Sequence, residues 1–196
     1  MTEILVLYYS RTGSVAALAR EVCTGIDSVG GAAARLRTVP MVSATTESTE
    51  DAVPDDGPPY VTIDDLQECD GLVMGSPAHF GNMAAPLKHF LDGTVGAWLA
   101  GALAGKPAGV FTSTGSLHGG QETALVSMMQ PLIHHGMLIV GIPYAEEALS
   151  TTTTGGSPYG ATHVTWNRER DQLASEEKQL AQALGRRVAG IALKLG

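Results

Sequence analysis

Three hydroxyl- and glycine-rich clusters hold most of the residues in this chain that could do chemistry. The first, Tyr9-Ser10-Arg11-Thr12-Gly13-Ser14, follows the apolar run Ile4-Leu5-Val6-Leu7-Tyr8. After it Leu18, Val22 and Ile26, with Ala19 and Cys23, recur at helical spacing. A strand-to-helix turn presents unpaired backbone N–H groups and the positive end of a helix dipole. Ser10, Thr12 and Ser14 add hydroxyls, and Gly13 lets the backbone approach a ligand closely, a set that suits a phosphate monoester. The same residues also read as an ordinary helix cap, because Ser and Thr are common at that position. The second cluster is Ser76-Pro77-Ala78-His79-Phe80-Gly81-Asn82-Met83, and the third is Ser113-Thr114-Gly115-Ser116-Leu117-His118-Gly119-Gly120-Gln121.

Missing motifs narrow the ligand. No Gly-x-Gly-x-x-Gly follows the first strand, which disfavours a dinucleotide-binding domain. No Gly-x-x-x-x-Gly-Lys-[Ser/Thr] is present, which disfavours a P-loop nucleotide hydrolase. One phosphate seat and two Gly/Ser/Thr loops instead fit a mononucleotide with a flat ring, whose carbonyls and nitrogens would be met by backbone amides that Gly81, Gly115, Gly119 and Gly120 let approach. Each glycine alone reads as a turn former; three clusters at three strand ends read as a site.

The elements that must position these clusters are five aliphatic strands, Ile4–Tyr9, Ala33–Val39, Gly71–Gly75, Ala108–Ser113 and Met137–Ile142. Between them the spacing predicts helices over Ser14–Val29, Ile63–Glu68, Ala85–Leu91 and Glu122–His134. A last helix starts near Ser175, with Leu180, Leu184, Val188, Ile191 and Leu195 as its apolar stripe. Alternation of short apolar strands with amphipathic helices predicts one α/β domain over residues 1–196 with a parallel sheet covered on both faces. In such a sheet ligands sit beyond the carboxyl ends of the strands, where the strand order reverses. Two stretches, near 41–62 and 146–167, read as long irregular insertions.

A net charge of −8 and a pI near 5.1 argue against a nucleic-acid partner. No apolar run approaches the length of a membrane span, and no leader precedes the first strand, so a cytoplasmic protein is expected. Cys23 and Cys69 read as reduced core or near-core thiols; no Cys/His spacing suggests a metal site.

The chain resembles the WrbA-type NAD(P)H:quinone oxidoreductases, FMN-binding members of the flavodoxin-like superfamily. The resemblance is carried by Leu5-Val6-Leu7-Tyr8-Tyr9-Ser10, Phe80-Gly81-Asn82-Met83, Ser113-Thr114-Gly115, Gly119-Gly120-Gln121-Glu122 and His134-His135-Gly136-Met137. Most specific is Gly156-Ser157-Pro158-Tyr159-Gly160-Ala161. It implies a three-layer sandwich with a five-stranded parallel sheet in the order 2-1-3-4-5, an FMN cofactor, and a homotetramer built as a dimer of dimers. It also implies two-electron reduction of quinones by NADH or NADPH, in a ping-pong exchange of hydride through flavin N5.

Carried over by position, Ser10, Arg11, Thr12, Gly13, Ser14 and Val15 would hold the phosphate. Pro77, Ala78, His79, Phe80, Gly81 and Asn82 would border the isoalloxazine. Ser113, Thr114, Gly115, Ser116, Leu117, His118 and Gly119 would hold its pyrimidine side. The resemblance places His134 at the flavin and Trp98 on the wall of the substrate pocket, of its own or a neighbouring subunit, with Thr12, Phe80 and His79 also near substrate. Trp98 also reads as core, against which its Gly/Ala-rich flanks suggest a loop; His134 and His135 read as complements to a helix dipole, His79 as a solvated group or a donor over the pocket, and Tyr159 as a residue of a tetramer interface or of the pocket lining. Met128 and Met129 read as core. The chain departs from the family at Thr12, where Tyr is frequent, at Ala78 and His79, and by one extra residue at Leu117-His118; nucleotide preference and substrate shape are the properties these touch.

Two other classes compete. A flavodoxin-type electron carrier would need an exposed flavin edge and an acidic docking face, whereas the acidic excess here sits largely in the 41–62 insertion and other loops. A transcriptional accessory protein would need a basic patch or DNA-binding motif, and the chain has neither.

Overall fold

A computed structural model describes residues 1–42, 57–166 and 172–196. β1 (Thr2–Tyr8) lies in the middle of a parallel sheet because Ile4–Leu7 are apolar on both faces and entirely buried. It pairs on one side with β2 (Ala32–Thr38), half-buried along its length as an edge strand, and on the other with β3 (Gly71–His79). β3 pairs with β5 (Pro107–Thr114), and β5 with β6 (Leu138–Ile139), giving the path β2-β1-β3-β5-β6. This is the expected order, with the five predicted strands at its five places.

The outer strand differs from expectation. Met137–Ile142 contributes only the two residues of β6, which pair with Pro107 and Ala108. The rest of the edge is β7 (Ala161–Val164), parallel to β5 with Phe111 opposite Ala161 and Thr114 opposite Val164. The outer strand is therefore split, with residues 140–160 inserted between its halves. A strand thus lies inside the stretch near 146–167 that reads as irregular, as does a short helix, α6 (Ala148–Thr151). β4 (Asn82–Met83), also unforeseen, forms a small antiparallel hairpin with the end of β3.

The strands' alternation divides the core. Ile4, Val6 and Tyr8 face α1 (Ser14–Asp27) and α7 (Ser175–Leu195); Leu5 and Leu7 face α2 (Ile63–Glu68), α3 (Ala85–Asp92) and α5 (Gln121–His134). The α7 stripe runs Leu180, Leu184, Val188 and Ala192. Leu195 is exposed, because the four-residue register selects Ala192. Met128 is wholly buried. Burial pushes the Cys23 thiol up to about 12 and the Cys69 thiol to about 11, so neither offers a thiolate near neutrality. The 41–62 insertion lies mostly outside the described residues.

Candidate functional site

The sheet register brings the ends of β1, β3 and β5 to one edge: Tyr8 is opposite Gly75, and Pro77 opposite Ser113. β1 continues into its turn as Tyr9 donates its N–H to the Gly75 carbonyl at 3.0 Å. α1 begins after Gly13, at φ 95°, and carries no acidic residue in its first turn. The Ser10 hydroxyl accepts from the N–H groups of Gly13 (3.2 Å) and Ala16 (3.3 Å). The amides of Arg11, Thr12 and Val15 have no partner among the described residues, and Arg11 makes no ion pair with any of them. Hence the turn is both a helix cap, through Ser10, and a cradle of unpaired donors.

The second cluster is a hairpin. Ala78 pairs with Met83 and His79 with Asn82, leaving Phe80 (φ 54°) and Gly81 (φ 75°) as a two-residue turn with both φ positive. Phe80 is the one non-glycine in that region among the described residues, and its ring is fully exposed at the tip. Strain of this kind together with an exposed aromatic marks functional positions. The base of the hairpin is fixed by Ser76, whose hydroxyl accepts from Ala84 N–H at 2.8 Å and whose carbonyl accepts from the buried Thr112 hydroxyl at 2.7 Å.

The third cluster folds on itself: the Thr114 hydroxyl donates to the Ser116 carbonyl (2.8 Å), and Gly119 N–H to the same carbonyl (3.1 Å). It ends at Gly120, φ 85°, where α5 begins; a Cβ there would lie 3.2 Å from the Gly81 Cα, so the second and third clusters touch. Beside Gly115 the space is open.

A cleft of about 440 Å³ joins Arg11 and Thr12 of the first cluster to Pro77 and His79 of the second. Its fifth wall is Thr165, which the sequence did not single out. Thr165 follows β7, and its N–H and hydroxyl both donate to the Thr114 carbonyl, at 3.0 and 3.3 Å. Leu117 and His118 do not line this cleft. They face a separate hollow of about 540 Å³ with Gln121, Glu122 and Thr152–Thr154.

Trp98 and His134 stand elsewhere. Trp98 lies in α4 (Val95–Leu99), a helix rather than the expected loop. It is half exposed, its indole N–H donates to the His134 carbonyl at 3.0 Å, and the two rings lie 5.4 Å apart. With Lys88, Leu91, Thr94 and His135 they line a groove of about 310 Å³. His134 is the last residue of α5, a 14-residue helix whose other end is the third cluster. At 1.5 Å per residue the two ends are about 20 Å apart.

His135 is the inward-facing imidazole of this groove. The Thr94 hydroxyl donates to the Leu91 carbonyl (2.7 Å), so its contact with His135 Nε2 at 3.0 Å requires that Nε2 carry the proton. Nδ1 is then a bare acceptor, buried and without a partner among the described residues. Burial, and secondarily the charge of His134, hold the His135 pKa below its ordinary value. Tyr159 is half exposed, and its motif has a structural task. A Cβ on Gly160 would lie 2.1 Å from the Val110 carbonyl oxygen, so only glycine lets the insertion close onto β5.

A doubly wound parallel sheet with its loops gathered at the reversal of strand order is a flavodoxin-like architecture. It is similar over 99% of both chains to a flavodoxin, WrbA-like protein from Agrobacterium tumefaciens (TM-score 0.69, 21% identity). An archaeal flavodoxin matches over 98% of this chain and 99% of its own (TM-score 0.64, 18% identity). The sequence matches the NADPH-dependent FMN reductase family over residues 8–148, and the chain belongs to that family. It is 41% identical, over 98% of each chain, to an NAD(P)H dehydrogenase (quinone) of Solidesulfovibrio magneticus. No helix among the described residues is long and apolar enough to cross a membrane.

Proposed function

We propose that the protein is an FMN-dependent oxidoreductase that uses NADH or NADPH to reduce quinones to hydroquinones. The observation that carries this reading is the meeting of three donor-rich backbone turns at the β1/β3/β5 edge, with the amides of Arg11, Thr12 and Val15, before and at the start of α1, unpartnered among the described residues. Family membership and the 41% identical quinone dehydrogenase support it.

The residues present fit FMN. Amides at a helix N-terminus and an Arg11 that have no partner among the described residues suit a phosphate dianion, and the open space beside Gly115 admits a ring edge. Bound there, FMN would supply the two-electron relay between nicotinamide and quinone. Ser10, Arg11, Thr12, Gly13, Ser14 and Val15 would anchor the phosphate. Pro77–Asn82 would flank the ring, and Ser113–Gly119 would present backbone donors to its pyrimidine end, where they stabilise negative charge. Thr165 would hold the Thr114 carbonyl away from that end. Phe80 and His79 would border the face on which nicotinamide and quinone take turns, a ping-pong order.

Trp98 and His134 would serve a neighbouring copy, since α5 separates them from their own chain's turns. A homotetramer in the cytoplasm is the assembly this reading carries. Steady-state kinetics with varied NADPH and benzoquinone tests it. Parallel double-reciprocal lines are expected; intersecting lines would replace the exchange by a ternary complex, and no turnover would remove the enzyme reading.

A further inference from the structure

We propose that Glu177 is a positioning residue for the third flavin turn, acting through β7. Its buried carboxylate ties α7, the insertion and the end of β7 into one knot, and that knot fixes where Thr114–Leu117 stands. The inference rests on the flavin reading above and goes beyond it by assigning a role to a residue remote from the cleft.

Glu177 and His163 are both fully buried. One Glu177 oxygen, Oε1, accepts from Gly155 N–H (2.9 Å) and Val164 N–H (3.1 Å). The other, Oε2, accepts from Ala174 N–H (2.9 Å) and meets His163 Nδ1 at 2.8 Å. The side chain thus binds backbone within the insertion, on the last residue of β7 and on the cap of α7. A buried carboxylate with four donors is a costly way to hold a core together, and an apolar residue of similar volume often does as well. What a carboxylate adds is direction: four N–H vectors must converge on two oxygens. The His163 imidazole is spent on one of those bonds, since its Nε2 is buried with no partner among the described residues.

Two hydrogen-bonded routes lead from this knot to the third turn. Along the first, Val164 N–H is held by Glu177, and the next residue, Thr165, holds the Thr114 carbonyl through both its N–H and its hydroxyl. Along the second, Gly155 N–H is held by Glu177, and Gly156 N–H donates to the Thr162 hydroxyl oxygen (2.6 Å). The Thr162 hydroxyl in turn donates to Gln121 Oε1, and Gln121 Nε2 donates to the Leu117 carbonyl (2.9 Å). The routes reach opposite ends of the turn. They also cross the sheet edge, from α7 on one face to α5 on the other. No other buried carboxylate among the described residues has this reach: Asp65 serves only the cap of α2 and two arginines of β2.

The test is flavin binding by apo Glu177→Gln, which keeps the side chain's size but turns one acceptor oxygen into a donor facing N–H groups. FMN and riboflavin are titrated separately, following quenching of flavin fluorescence, and the visible circular dichroism of the bound flavin is recorded. Both affinities should fall by the same factor, roughly tenfold, and the bound spectrum should change, because the disturbed turn faces the ring and not the phosphate. Wild-type affinities and spectrum for both flavins would overturn the proposal, as would weakening of FMN alone. A merely structural Glu177 would lower thermal stability and move neither readout. If Glu177→Gln does not fold, Thr162→Val decides, with a smaller loss of the same pattern expected and unchanged binding overturning the proposal. Wild-type protein that binds neither flavin would instead defeat the flavin reading itself.

Discussion

The two ends of α5 differ in how they are built. At the N-terminal end the surface is built of backbone: left-handed Gly120, the self-bonded Thr114–Gly119 turn and the neighbouring Gly81 gather amides and small residues at the sheet edge, with open space beside Gly115. At the C-terminal end it is by side chains: an indole tilted against one imidazole, and a second imidazole with a bare buried nitrogen. Backbone donors have fixed positions and suit a resident cofactor bound in one pose. Side-chain walls can move with rotamer changes and suit substrates that come and go. Because the helix between them is rigid, the two ends stand about 20 Å apart in one chain, and on the proposed reading catalysis by this division would need a second copy.

The largest effect should come from Gly120→Val. A branched side chain at φ 85°, packed against the Gly81 backbone, combines strain with separation of the second and third turns. A loss of about 3 kcal/mol in flavin affinity is expected by titration, roughly a hundredfold; unchanged affinity would detach the N-terminal end of α5 from the cofactor.

Acid stability follows closely. Burial acts to raise the Glu177 pKa, but the His163 bond and the N–H groups of Ala174 and Val164 outweigh it and hold the carboxyl at about 2, below its ordinary 4.5. A depressed carboxylate contributes stability that is fully present above the unfolded value and is lost as pH falls through the folded one. Chemical denaturation should therefore show a loss of about 2–3 kcal/mol between roughly pH 5 and 2, a limb that Glu177→Gln flattens.

Trp98→Ala tests the opposite end. Quinone kcat/KM should fall roughly tenfold or more, while FMN affinity moves little. Equal losses in both would merge the two ends into one function, and unchanged turnover would refute a pocket role for Trp98.

The smallest effect is expected for Ser10→Ala. The Gly13 and Ala16 amides lose their internal acceptor, and FMN should weaken by about 1 kcal/mol while riboflavin is unaffected. A parallel loss of riboflavin would show that the first turn supports the ring.

Much of this was legible in the residues. Uninterrupted aliphatic runs marked β1, β3 and β5, and helical spacing in Leu18, Val22 and Ile26 fixed the buried face of α1. The split outer strand was not legible. β6 is two residues long, and β7, Ala161-Thr162-His163-Val164, carries polar side chains at buried positions because they bond to Gly156, Gln121 and Glu177. Hydrophobic periodicity cannot report such a strand. For the same reason Thr165 escaped notice, and the sequence did not reveal the bonds that His135, read only as a complement to a helix dipole, and Glu177 make: these come from partners 14 to 51 residues away. Trp98 was seen, but its Gly/Ala flanks hid a five-residue helix closed by a bond to a carbonyl 36 residues away. A usable signal existed in the β-branched cluster after Gly160, which reads as a strand once the glycine is taken as its start.

The central claim is that FMN occupies the β1/β3/β5 edge and passes electrons from nicotinamide to quinone. Anaerobic addition of NADPH or NADH to the FMN-loaded protein, followed by benzoquinone, tests it most directly. The yellow absorbance should bleach with the nicotinamide and return on adding the quinone, one flavin per chain. A protein that takes up no FMN, or whose bound FMN keeps its colour in excess of both nicotinamides, would contradict the account.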